Sequence, residues 1–201
     1  MSGSWKKQMV LVWASQFLSI MGFSFALPFV AFFLQEDLGV TQPAAVRMWV
    51  ALFSASTAVT MAVAAPLWGL LADRYGKRIM LIRANFAGAV VIALMGAAQT
   101  PAMLIVLRLL QGALTGTMTA AQAFLAGEMP RERRGLAVGG LSAAVFSGSM
   151  AGAMLGGFAG EWLGYRLAFG VSGVLLLTAG LLVLCCTRET VVPTVRSRVP
   201  E

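Results

Sequence analysis

Long runs of apolar residues, each about the length that crosses a bilayer, alternate along this chain with short stretches of charge. Runs of this kind fall at 9–34, 48–71, 79–98, 102–126, 136–160 and 167–186. The first carries no charge from Gln8 through Gln35, which is longer than the apolar region of a cleaved leader and predicts a helix that stays in the membrane. Gln99-Thr100-Pro101 divides the third run from the fourth, because proline suits the first turn of a helix and pushes its predecessor out of helical geometry. The pattern predicts an all-α integral membrane fold of six transmembrane helices. Its parts are an N-terminal segment 1–8, a six-helix bundle 9–186 and a tail 187–201.

Composition narrows the chemistry. The 201 residues are 59% hydrophobic, with a mean hydropathy of +0.82, which leaves no room for a separate soluble domain. A net charge of +7 first points to nucleic acid, but the basic residues form short clusters between apolar runs rather than one polar face, so no nucleic-acid partner is expected. They set orientation instead. Lys6, Lys7, Arg74, Lys77, Arg78, Arg83, Arg131, Arg133, Arg134, Arg188, Arg196 and Arg198 share one side, against Arg47 and Arg166 on the other. Lysine and arginine accumulate in short cytoplasmic loops, so both termini are predicted to be cytoplasmic. Histidine is absent, and the cysteines are the adjacent pair Cys185 and Cys186, so no metal site, disulfide framework or cofactor is expected. No serine or cysteine has a plausible base beside it, which argues against an enzyme.

The densest charge is "GLLADRYGKR", residues 69–78. Its order of Gly69, then Asp73 and Arg74, then Gly76, Lys77 and Arg78 resembles the signature loop of the major facilitator superfamily. A second match is "RLLQG", Arg108 to Gly112, which resembles the same family's Arg-x-x-Gln-Gly element. Spacing adds to this independently. Arg108, Gln111, Thr115, Thr119 and Gln122 recur every three or four residues and so define one polar stripe, fit for a water-filled cavity or for bonds to neighbouring helices. Arg108 lies about 10 Å into its span from Pro101 at the usual helical rise. A guanidinium there is costly unless it meets water or a partner, and is a functional hypothesis by default.

The fifth run places Gly140, Ala144, Gly148, Gly152, Gly156 and Gly160 four residues apart, a face that lets two helix backbones approach closely. Within it "GAMLGG", residues 152–157, resembles the family's antiporter motif, with Gly152, Gly156 and Gly157 in place and Ala153 where that motif has proline. The family's proline-imposed bend is therefore not implied. An internal echo also appears: Asp73-x-x-Gly76-x-Arg78 matches Glu161-x-x-Gly164-x-Arg166, 88 residues later and on the opposite side of the membrane, as expected of two inverted three-helix repeats.

Over about residues 5–190 the chain is similar to the N-terminal six-helix half of bacterial multidrug-efflux drug:proton antiporters. The resemblance implies alternating access across a bacterial inner membrane, with a small apolar or drug-like substrate and protons. It also implies a C-terminal six-helix half or a second copy to complete the path, and lipid around it. Asp73 becomes one side of a conformational latch on a helix of that other half, and Arg108 a proton-coupling residue. None of the eight acidic residues falls mid-span, so the proton carrier is expected in the other half, or at Asp73 or Glu128. Trp13, Phe17, Phe23, Phe25, Phe29, Phe32 and Phe33 either line a path for an aromatic compound or pack against helices and lipid. The alternative function is a non-transporting membrane assembly protein that associates through the glycine face.

Overall fold

The structure, a computed structural model, describes residues 4–129 and 131–187; Arg188, Arg196, Arg198 and the rest of the predicted tail lie outside the described residues, as does the Glu128 side chain. The helices are α1 (Ser4–Ser24), α2 (Val30–Glu36), α3 (Pro43–Tyr75), α4 (Lys77–Gly96), α5 (Pro101–Leu114), α6 (Thr117–Glu128), α7 (Arg134–Leu163) and α8 (Tyr165–Cys186), with a short 3-10 turn at Arg131–Arg133. Among the described residues five stretches are long and apolar enough to cross a membrane: Pro43–Tyr75, Lys77–Gly96, Pro101–Gly127, Arg134–Leu163 and Tyr165–Cys186. The first predicted span, 9–34, is not continuous. Pro28 has no N–H to donate to Ser24, the last residue of α1, and the chain turns through Phe25–Phe29 before α2 resumes.

Other boundaries differ for equally local reasons. Pro43 starts α3 five residues before the predicted 48, and the 33-residue helix runs through Pro66 to Tyr75. The predicted loop 69–78 shrinks to one residue: Asp73 and Arg74 belong to the last turn of α3, Lys77 and Arg78 to the first turn of α4, and Gly76 alone makes the corner at φ 98, ψ 143. That region of backbone space is essentially reserved for glycine. Gly69, expected to close the helix, lies inside α3 facing open space. The predicted span 102–126 is broken at Thr115–Gly116, where Gly116 takes φ 153.

Packing pairs α4 with α8, α1 with α7 and α3 with α5, while α1 also runs along α8. Two buried apolar clusters result. One, near α2, gathers Phe25, Phe29, Phe33, Phe53, Met95, Leu104 and Phe169; the other, toward the Gly76 corner, gathers Met9, Val12, Leu81, Phe124, Leu125, Leu141 and Val183. Between these clusters along α1, α4 and the α5–α6 pair lie buried polar residues: Ser15, Gln16, Ser19, Asn85, Arg108, Gln111, Thr115 and Thr117. The bundle thus carries a polar belt near mid-depth.

Candidate functional site

Most of the belt satisfies itself. The Ser15 hydroxyl donates to the Ala179 carbonyl at 3.1 Å, and the Ser19 hydroxyl reaches the Ser15 carbonyl (2.8 Å) and the Asn85 amide oxygen (2.5 Å). The Asn85 amide nitrogen donates to the Leu81 carbonyl at 2.9 Å. Two groups stand out against this. Gln16 is fully buried with neither amide atom bonded, and Arg108, only 5% exposed, has an unbonded Nε. Arg108 Nη1 donates to Gln111 Oε1 at 2.8 Å, and the guanidinium lies over the Phe53 ring with Cζ 3.7 Å from the centroid. No carboxylate faces it among the described residues. A cation held only by an amide and an aromatic face in a low-dielectric layer lacks its counter-charge.

The break at Thr115–Gly116 splits the predicted stripe. Arg108 and Gln111 are buried against α3, and Gly112 lets α5 approach so closely that a Cβ there would clash with Thr57 and Thr60. Thr115 and Thr119 instead border a cavity of about 170 Å³ between α3, α4 and α6, together with Gly69, Asp73 and Arg83. Gln122, half-buried, borders neither.

At the corner, Arg78 donates through Nη2 to the Leu184 carbonyl (2.6 Å) and through Nε to the Thr187 hydroxyl (3.3 Å), capping the end of α8. Arg74 is exposed and stacks on Tyr75, and Lys77 is half-buried. Asp73 is exposed and forms no ion pair among the described residues. Arg83, counted with the positive residues of the cytoplasmic side, also makes contacts inside the bundle. It sits in the second turn of α4, half-buried, with Nη1 on the Leu114 carbonyl at 2.9 Å and its guanidinium over Trp68. Sequence reasoning also missed Gln16, Trp68 and Phe53. A lone glutamine in an uncharged run and an arginine five positions into a predicted span were the available signals.

A sequence model described as Major Facilitator Superfamily matches residues 12–200. The chain belongs to the major facilitator superfamily. It is 38% identical over 190 residues to the multidrug resistance protein MdtG of Citrobacter koseri, covering 94% of this chain and 47% of that protein. The MdtG of Klebsiella pneumoniae (strain 342) is also 38% identical, over 94% of this chain and 46% of its own length. The chain therefore spans about half the length of the curated relatives it matches. Among solved structures, the human organic anion transporter MFSD10 (TETRAN) superposes with a TM-score of 0.80 at 18% identity, over 94% of this chain and 49% of its own. An auto-inhibited POT family peptide transporter gives 0.79 at 18%, over 92% and 38%. These two likenesses establish the fold of one six-helix half.

As a major facilitator protein the chain is an integral membrane protein of a transporter family and not an enzyme. Its two three-helix repeats carry matching corners: Gly164, at φ 81 and ψ 152, joins α7 to α8 as Gly76 joins α3 to α4. The glycine face is occupied within the chain. A Cβ at Gly148 would come 2.6 Å from the Phe17 carbonyl oxygen, Gly152 and Gly156 abut the backbone of Met21 and Phe25, and Gly160 meets Phe29 and Tyr165. Gly157 points away, with nothing near it. Because α1 covers that face, an assembly function built on it loses its interface. Phe25, Phe29 and Phe33 are likewise buried in the core, so they pack helices and do not line a path.

Proposed function

We propose that this chain is the N-terminal half of an efflux transporter that expels small apolar, drug-like compounds from a bacterial cell in exchange for protons, by alternating access across the inner membrane. The kinship with multidrug resistance proteins over 94% of the chain carries the reading. In it both termini are cytoplasmic, in keeping with the positive-residue census. Arg108 is the coupling group: buried, with no counter-charge among the described residues, it supplies the positive potential that a protonatable carboxylate of the second half would feel. Gln16 offers unmet hydrogen bonds in the same polar layer. Asp73, exposed beside the α3–α4 corner and without an ion pair among the described residues, is the near side of a latch whose other side is a helix N-terminus of the second half, where the helix dipole favours an anion.

The test is to express the chain in a pump-deficient host alone and together with the uncovered half of the Citrobacter koseri relative, and to follow dye efflux. Efflux is expected only from the pair, and to disappear with a protonophore or with Arg108→Ala. Proton-driven efflux by demonstrably monomeric chain, or an unchanged rate in Arg108→Ala, overturns the proposal.

A further inference from the structure

A helix that stops in mid-membrane leaves carbonyls that water cannot satisfy. In a continuous helix the carbonyls of Ala113 and Leu114 would accept from residues 117 and 118. At the Thr115–Gly116 break they accept side-chain donors from two other helices: Trp68 Nε1 on α3 reaches Ala113 O at 2.5 Å, and Arg83 Nη1 on α4 reaches Leu114 O at 2.9 Å. The two donors also hold each other, with Arg83 Cζ 3.4 Å from the centroid of the Trp68 ring. Arginine near a helix end ordinarily extends toward the interface. Arg83 turns inward instead, to a carbonyl near mid-depth, and its Nε remains buried and unbonded.

Both donors flank the corner. Trp68 precedes Gly69 on α3, and Arg83 lies seven residues after Gly76 on α4. On the other side of the contact, α5 carries Arg108 and Gln111 less than two turns above the break. The adjoining cavity of about 170 Å³, bordered by Asp73, Arg83, Thr115 and Thr119, leaves room for these elements to shift, and α3 packs closely on α5 but only sparsely on α6.

We infer that Trp68 and Arg83 are positioning residues: a clamp on the α5–α6 break that ties the Asp73 corner to the helix bearing Arg108. Movement of the corner changes the hinge at Thr115–Gly116, and through it the orientation of the Arg108–Gln111 pair. The consequence for transport rests on the function proposed above; the clamp does not.

Hydrogen exchange of the full chain in lipid nanodiscs, resolved by mass spectrometry, separates the two. Arg83→Gln is expected to speed exchange of segment 115–120 by at least about tenfold and to spread to 69–76 across the contact, with α1 and α7 unchanged. Trp68→Phe, which keeps an aromatic face but loses the donor, is expected to give a smaller rise at the same two segments. Arg83→Lys, which keeps the charge and a donor but loses the flat stacking face, is expected to restore part of the protection, and these milder variants cover the case in which Arg83→Gln does not fold. Acceleration spread evenly over the chain, or confined to the substituted helix, overturns the clamp. If the coupled acceleration is found while the paired halves never export dye, the transport reading falls and the clamp stands.

Discussion

The α3–α4 corner and the α7–α8 corner have the same backbone and opposite surroundings. Each is one glycine at large positive φ, preceded three residues earlier by an acid and followed two residues later by an arginine. Each arginine crosses to the far end of the other repeat's third helix: Arg78 to the Leu184 carbonyl and Thr187 hydroxyl, Arg166 to the carbonyls of Gly96 (3.0 Å) and Ala98 (3.1 Å). The antiparallel pair α4–α8 is thus capped reciprocally at both C-termini, where a cation also meets the negative end of the helix dipole. The differences lie around this frame. Arg166 adds an ion pair with Asp37 at 2.9 Å, whereas Asp73, beside the cavity and the Trp68–Arg83 stack at the other corner, forms no ion pair among the described residues. What the repeats share is architecture, and what they do not share is the ion pair at one corner and the cavity at the other.

The strongest way to break this comparison is at the glycines. Gly76→Val and Gly164→Val each place a β-branched residue where only glycine rests easily, and each is expected to cost about 2–3 kcal/mol in unfolding from mixed micelles. A large effect at one corner alone would show that they are not equivalent. Arg78→Met and Arg166→Met come next, at about 1–2 kcal/mol each for partly exposed charged caps. Their effects should appear at the opposite helix end, as faster exchange at 184–187 for the first and at 96–98 for the second. Asp37→Asn is expected to cost under about 1 kcal/mol, shrinking further in high salt as befits a partly exposed pair. Smallest are Asp73→Asn and Glu161→Gln, both exposed and both expected within about 0.5 kcal/mol of the parent in stability. Here the comparison sharpens: Asp73→Asn should lower efflux of the completed transporter at least tenfold while Glu161→Gln leaves it unchanged. A stability loss in Asp73→Asn as large as that of Arg78→Met would make Asp73 a structural residue and remove the latch.

The span pattern, the corner motif and the four-residue glycine spacing were legible because each is a local or periodic property of the chain. The echo between residues 73–78 and 161–166 rests on three matching positions, two identities and one acid for another, and matching backbone angles with matching caps give it physical content. Breaks were harder to foresee. Thr115 and Gly116 look ordinary in a membrane helix, and what allows the helix to part there is a pair of donors 45 and 31 residues away. The census counts Arg83 with the positive residues of one side because composition cannot distinguish an arginine that reaches outward from one that turns in. Gly157 matched a motif, yet only the packing of α1 shows that Gly148, Gly152, Gly156 and Gly160 form the working face and Gly157 does not. Pro28 ended a helix while Pro66 did not, a difference carried by tertiary context that neither proline announces.

The reciprocal caps bear on how the protein is made. When the ribosome has finished α4, the carbonyls of Gly96 and Ala98 still await a guanidinium about seventy residues further along the message. Arg78 in turn waits for the last turn of α8, more than a hundred residues after it. The first three spans therefore enter the bilayer as an unfinished object, and this half closes its caps only when the last of its six spans arrives.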